Sequence, residues 1–169
     1  MPASKPKARS TVVARPAESA FRELIRTFGL VERVMQPYFA RHGISGSQWG
    51  VLRNLHRAEG EGLPGLRLTD LSERLLLRPP SVSGVIDRLE RAGLVERGGS
   101  PTDLRAKRVA LTSRGRDLVE HVLVGHSGQI DAVMAGFDTE EQTELYQLLH
   151  QWSQHLESLL QQQAGVNIA

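Results

Sequence analysis

Apolar residues recur at helical spacing through most of the chain. Between 18 and 42 the stripe is Phe21, Leu24, Ile25, Phe28, Val31, Met35, Tyr38 and Phe39, which predicts one long amphipathic helix. Pro37 lies inside it and predicts a kink or an early end. Gly43 supplies the stop. Ser45 and Ser47 precede a second helix, and one of them is expected to cap it. Its apolar face is Trp49, Val51, Leu52 and Leu55, with His56 at the margin, and it ends near Ala58. Residues 59–65 (EGEGLPG) read as a loop. Leu66-Arg67-Leu68 is too short to classify. Thr69 is the expected cap of a short third helix through Leu71, Leu75 and Leu76. Pro79 and Pro80 end that helix and suit the first positions of a fourth. The fourth carries Val82, Val85, Ile86 and Leu89 on one side and stops at Gly93.

The period then changes. Leu94-Val95-Glu96-Arg97 and Arg105–Leu111 are β-compatible, and the turn-rich residues 98–103 lie between them. Together they predict a β-hairpin with a long basic tip. Thr112 ends the second strand and begins a long helical region, with Gly125 and Gly128 as weak points. Asp138-Thr139-Glu140-Glu141 has the form of a capping box. A last helix with Leu145, Leu148, Leu149, Trp152, Leu156, Leu159 and Leu160 runs to about Gln162. The organisation expected is a basic tail (1–17), an N-terminal helix (18–43), a central domain (44–111), C-terminal helices (112–163) and a frayed end (164–169). The fold class is mainly α with a small antiparallel β-hairpin.

Charge sharpens this picture. The net charge of +2 conceals a division along the chain. Residues 1–65 and 66–116 each carry a surplus of five positive charges, whereas 117–169 hold eight acids and no Lys or Arg. One part of the protein suits an anion and another does not. Eighteen of the 21 basic residues are Arg, whose planar fork fits phosphates and guanine edges; a GC-rich genome would raise the same count. The tail, with Lys5, Lys7, Arg9 and Arg15, either touches phosphates or is simply solvated.

Composition excludes several chemistries. With no cysteine there is no disulfide framework, Cys-ligated zinc, iron–sulfur cluster or thiol redox sensor. No apolar run is long enough for a membrane span, and no apolar stretch follows the basic N-terminus as in a secretory signal, so a cytoplasmic location is expected. The sequence lacks a phosphate loop, a dinucleotide fingerprint, a nucleophile elbow and a zinc helix motif. His121/His126 and His150/His155 are five apart, about 140° around a helix, so neither pair shares a face. No enzyme activity, cofactor or metal is expected.

Three helices followed by a basic hairpin read as a winged helix-turn-helix. The outward side of the Pro-led helix has small residues near its start (Ser81, Ser83, Gly84), which let it approach base edges, and Arg88 and Arg91 further on. The open N–H groups of its first turn would favour a phosphate. Arg97, Arg105, Lys107 and Arg108 fall on the hairpin beside it, and a narrow minor groove attracts inserted Arg.

Three segments carry a resemblance: Leu68–Leu75, Pro80–Arg97 with its LE-x-x-GLV-x-R block, and Asp103–Gly115 with its D-x-R and LT-x-x-G features. They resemble the MarR family of bacterial transcription regulators, and the likeness extends over about residues 18–162. It implies a homodimer on a palindromic double-stranded DNA operator, usually as a repressor. Pro80, Ser81, Ser83, Gly84, Arg88 and Arg91 would then face DNA from the recognition helix. Arg97, Asp103, Arg105, Lys107 and Arg108 would serve the wing, with Arg105 in the minor groove and Asp103 orienting a nearby Arg. The stripes at Phe21 and Ile25 and at Leu149, Trp152, Leu156 and Leu160 would pack on a second subunit. A small aromatic or anionic effector would sit near Tyr38, Arg41, His42, Trp49, Arg53 and His56. Leu104 departs from the family, which often has Arg there. Arg78 replaces a small polar cap and adds a possible phosphate contact. The alternative is a winged-helix dimerisation module that does not read DNA.

Overall fold

The computed structural model describes residues 15–100 and 103–166, with the side chains of 15–98 and 108–163. Six helices and three strands follow in order: α1 (Pro16–Arg41), α2 (Gly46–Gly60), β1 (Leu66–Arg67), α3 (Leu68–Leu75), α4 (Pro79–Arg91), β2 (Val95–Ser100), β3 (Asp103–Leu111), α5 (Ser113–Met134) and α6 (Thr139–Val166). The tail expected over 1–17 lies outside the described residues up to 14, and its last two residues already belong to α1. The C-terminal fraying expected from 164 is corrected as far as Val166, where helical backbone continues.

Local chemistry sets most of the boundaries. The Ser45 hydroxyl accepts from the Gln48 N–H at 3.2 Å, and the Gln48 side chain accepts from the Ser45 N–H at 2.9 Å, so Ser45 rather than Ser47 caps α2. Asp138 and Glu141 make the same reciprocal pair, both at 2.9 Å. α4 opens on Pro79 and closes at Ala92, ahead of Gly93 at φ 68°. α1 passes through Pro37 and continues for four residues, because the buried rings of Tyr38 and Phe39 hold its last turn in the core. α5 runs unbroken through Gly125 and Gly128. Thr69 is not the cap of α3. The helix begins at Leu68, and the Asp70 carboxylate accepts from the Arg67 N–H at 3.0 Å.

The sheet is larger than a hairpin. β1 joins it in the order β1-β3-β2, all antiparallel, with Leu66 opposite Val109 and Arg67 opposite Arg108. The two-residue strand is invisible to periodicity and is held by burial of Leu66. The β2/β3 ladder also reaches further than expected, to Ser100 opposite Asp103, with an irregularity at Gly99/Ser100. Leu52, Leu55, Leu71, Val82, Ile86, Leu89, Val95, Val109, Leu111, Val119 and Val122 form the centre of one core. Each full burial contributes about 1.5–3 kcal/mol.

The LT-x-x-G segment is the junction between wing and α5. Leu111 enters the core. The Thr112 hydroxyl donates to the Gly93 carbonyl at 2.8 Å and accepts from the Gly115 N–H at 3.0 Å. A Cβ on Gly115 would stand 1.9 Å from the Leu94 carbonyl oxygen, so only glycine fits. Among the described residues α6 does not pack at length on any other element, and no helix is long and apolar enough to cross a membrane.

Gly115→Ala is expected to force β2 and α5 apart and to cost about 3 kcal/mol. The check is the urea midpoint of the variant against the wild type; an unchanged midpoint would show that the junction yields.

Candidate nucleic-acid interface

α4 docks through Val82, Val85, Ile86 and Leu89, all buried. Helical geometry then turns Pro80, Ser81, Asp87, Arg88 and Arg91 outward, all exposed, with Ser83 and Gly84 half-buried beside them. The Arg88 side chain leans back along the helix, its Nη1 3.9 Å from where a Cβ on Gly84 would stand. Arg91 Nε donates to the Asp87 carbonyl at 3.2 Å. Arg78, just before the helix, is exposed.

The open N–H groups expected at the start of α4 are absent. Pro79 and Pro80 have none, and the Ser81 and Val82 N–H groups bond the Arg78 carbonyl at 3.0 and 3.3 Å. An anion there would meet side chains and the helix dipole rather than backbone donors.

Two expected wing arginines have other tasks. Arg97 forms ion pairs with Asp87 and Glu90 on α4. The Asp87 carboxylate, by accepting its hydrogen bond, raises the Arg97 pKa further, against some desolvation. Arg108 turns inward, half-buried; its Nη1 donates to the Gly65 carbonyl at 3.0 Å, and its Nε is buried without a partner. Asp103, Arg105 and Lys107 lie on β3, with Lys107 opposite Gly99, and their side chains lie outside the described residues. Two further arginines brace the domain. Arg116 holds Glu59 in a bidentate pair at 2.9 Å, and Arg74 holds Glu61 at 2.7 Å.

The effector residues expected from sequence converge only in part, and with companions that sequence reasoning missed. Tyr38 and Trp49 are core side chains. The Tyr38 hydroxyl donates to the Val122 carbonyl, and Arg41 lies 5.6 Å from the Tyr38 ring centre. His42 packs on Tyr38 at 5.1 Å and on His121 at 5.3 Å. His126 packs on Trp49 at 5.1 Å. Phe39 stacks on Trp49 at 5.8 Å. Arg53 and His56 are half-buried and 3.1 Å apart. His121 and His126 do not share a face of α5, yet both meet this cluster, because α1 and α2 wrap the helix. Only tertiary packing carries that information. A separate open groove is also present. It runs between α1 and the start of α2, about 710 Å³, and includes Phe28, Val31, Met35, Phe39 and Ile44 in its lining.

Burial lowers the pKa of His42, with His121 and Arg41 adding to the effect. Burial lowers His126 too, with Arg53 adding. Burial raises the Tyr38 phenol, partly opposed by Arg41. Among the described residues no group of three or more His, Asp or Glu side chains is placed to hold a metal ion.

The faces expected to meet a second subunit are exposed. Phe21 and Ile25 on α1 are each 58% exposed, and Leu149, Leu156 and Leu160 on α6 are 43%, 47% and 60% exposed, with Trp152 half-buried.

A helix docked by one aliphatic face, with arginines opposite and a three-stranded wing alongside, defines a winged helix-turn-helix protein. The MarR family model matches residues 42–106. An HTH-type transcriptional repressor of Bacillus subtilis, YetL, is 31% identical over 119 residues, 70% of each chain. The chain belongs to the MarR family. It is a DNA-binding transcription regulator, not an enzyme. Solved structures share the fold. A mutant of MarR from E. coli complexed with operator DNA has a TM-score of 0.71 at 22% identity, over 79% of this chain and 92% of that one. BpsR of Bordetella bronchiseptica, described with regulation of its DNA binding by 6-hydroxynicotinic acid, has a TM-score of 0.72 at 24% identity, over 82% and 96%.

His42 and His126 bind protons less readily folded than unfolded. Their stability contribution is complete above the unfolded pKa of about 6.5 and is lost as pH falls through the lowered folded values. Urea midpoints should therefore drop between pH 7.5 and 5, and His126→Gln should flatten that drop. Equal slopes in both proteins would remove His126 from the effect.

Proposed function

We propose that this chain acts in the cytoplasm as a homodimeric, sequence-specific repressor on a palindromic double-stranded DNA site, released by a small aromatic anion. The carrying observation is the division of its surface. Exposed arginines line the outer side of α4, while exposed apolar stripes line α1 and α6. The first suits phosphates and guanine edges. The second suits a copy of the same chain, since a two-fold axis pairs like faces and presents two copies of α4 about one helical turn, ~34 Å, apart. Pro80, Ser81, Ser83, Gly84, Arg88 and Arg91 contact DNA from α4, and Arg105 and Lys107 from the wing, with Asp103 orienting a neighbour.

The effector reading rests on the aromatic and cationic groups gathered at Tyr38, His42, Trp49, Arg53 and His126, a combination that suits a ring bearing a carboxylate. The likeness to BpsR, whose DNA binding is regulated by such an acid, supports it.

Fluorescence anisotropy tests the reading on a duplex from upstream of the protein's own gene, with scrambled competitor at two salt concentrations. Binding should survive the competitor and weaken steeply with salt; loss to the competitor would favour an interaction module. Leu156→Asp should halve the mass in size-exclusion chromatography with light scattering and weaken operator binding about tenfold or more, because only one half-site is held. An unchanged mass would move the interface away from α6.

A further inference from the structure

Asp87 and Glu90 are the acidic residues of α4, one turn apart. Both are ion-paired to one guanidinium: Arg97 Nη2 meets Asp87 Oδ1, and Arg97 Nη1 meets Glu90 Oε2. Arg97 stands on β2 opposite the buried Val109, so the root of the wing is strapped to the C-terminal part of the helix. The Arg97 side chain is 31% exposed, whereas that of Asp87 is 51% exposed. The carboxylate is therefore the more exposed of the two, on the same outer side of α4 as Arg88 and Arg91.

That placement has an electrostatic consequence. Duplex DNA carries one negative charge per ~1.7 Å, and screening in physiological salt reaches only ~8 Å. Bare carboxylates on Asp87, on the docking face, and on the half-buried Glu90 one turn along would repel phosphates within that range. Paired with Arg97, they contribute a net charge of about −1 in place of −2, with the cation between them.

We propose that Arg97 serves DNA binding without touching DNA, by masking the charges of Asp87 and Glu90. Arg97 is thus a positioning residue rather than a contact. The inference rests on the reading of α4 as the DNA-facing helix.

The test compares four full-length proteins by anisotropy over a salt series, on the upstream duplex and on a random one. They are the wild type, Arg97→Gln, the double variant Asp87→Asn/Glu90→Gln, and the triple variant combining all three. Arg97→Gln should lose about tenfold or more in affinity, because it bares both acids. The double variant should bind at least as well as wild type. The triple variant should recover to within about threefold of wild type and keep its salt slope.

A triple variant as weak as Arg97→Gln, with a salt slope shallower by about 0.9, would mean that Arg97 grips a phosphate, and would overturn the proposal. A double variant weakened about tenfold would mean that Asp87 or Glu90 reads a base, and would overturn it too. Circular dichroism melts accompany each protein. If Arg97→Gln does not fold, the double variant against the wild type decides. A wild type that binds the two duplexes equally refutes the specific-regulator reading while the Arg97 comparison is still decided on the random duplex. A wild type that binds neither refutes both.

Discussion

Burial of Val82, Val85, Ile86 and Leu89 along one side of α4 is the constraint on which the rest of the molecule turns. A helix pinned by four aliphatic side chains cannot rotate about its axis without exposing them to water. Its opposite side is thereby committed, and with it the outward direction of Ser81, Asp87, Arg88 and Arg91. Leu94 and Val95 follow into the same core, which sets where the wing begins. Thr112 and Gly115 then close the far end of the wing against Leu94 so tightly that a single methyl would not fit.

The arginines divide into two kinds. Arg74, Arg97 and Arg116 are held by carboxylates, and Arg108 by a backbone carbonyl. They brace α2, α3, α4, α5 and the sheet against one another. Arg78 and Arg88 remain exposed at the start and the outer side of α4. A count of basic residues on the wing and helix therefore overstates the charge offered to a ligand. The pairing partners decide which guanidiniums stay available.

Among the described residues the outer helices keep apolar side chains exposed. α6 presents apolar residues that nothing among the described residues covers at length, and a helix of this kind draws most of its stability from burying such a face. The inner part of α1 behaves differently. Tyr38 and Phe39 enter the core and bring His42, His121 and His126 together, at the point where the outer helices meet the winged domain.

Wherever the deciding interaction is local, the sequence by itself determined the outcome. The reciprocal caps at Ser45/Gln48 and Asp138/Glu141, the proline start of α4, its stop at Gly93 and its aliphatic stripe each depend on residues within a turn or two, so their spacing is readable. Wherever partners come from distant parts of the chain, the tertiary structure decided. β1 exists because Leu66 finds Val109, Arg97 is taken by Asp87 and Glu90, Arg108 by Gly65, and α5 brings His121 and His126 to residues of α1 and α2. Pro37 belongs with these, since burial of the rings after it outweighs the local break. Short-range hydrogen bonds and helical period are written in neighbouring letters. Desolvation and ion pairing depend on which surfaces the folded chain brings face to face.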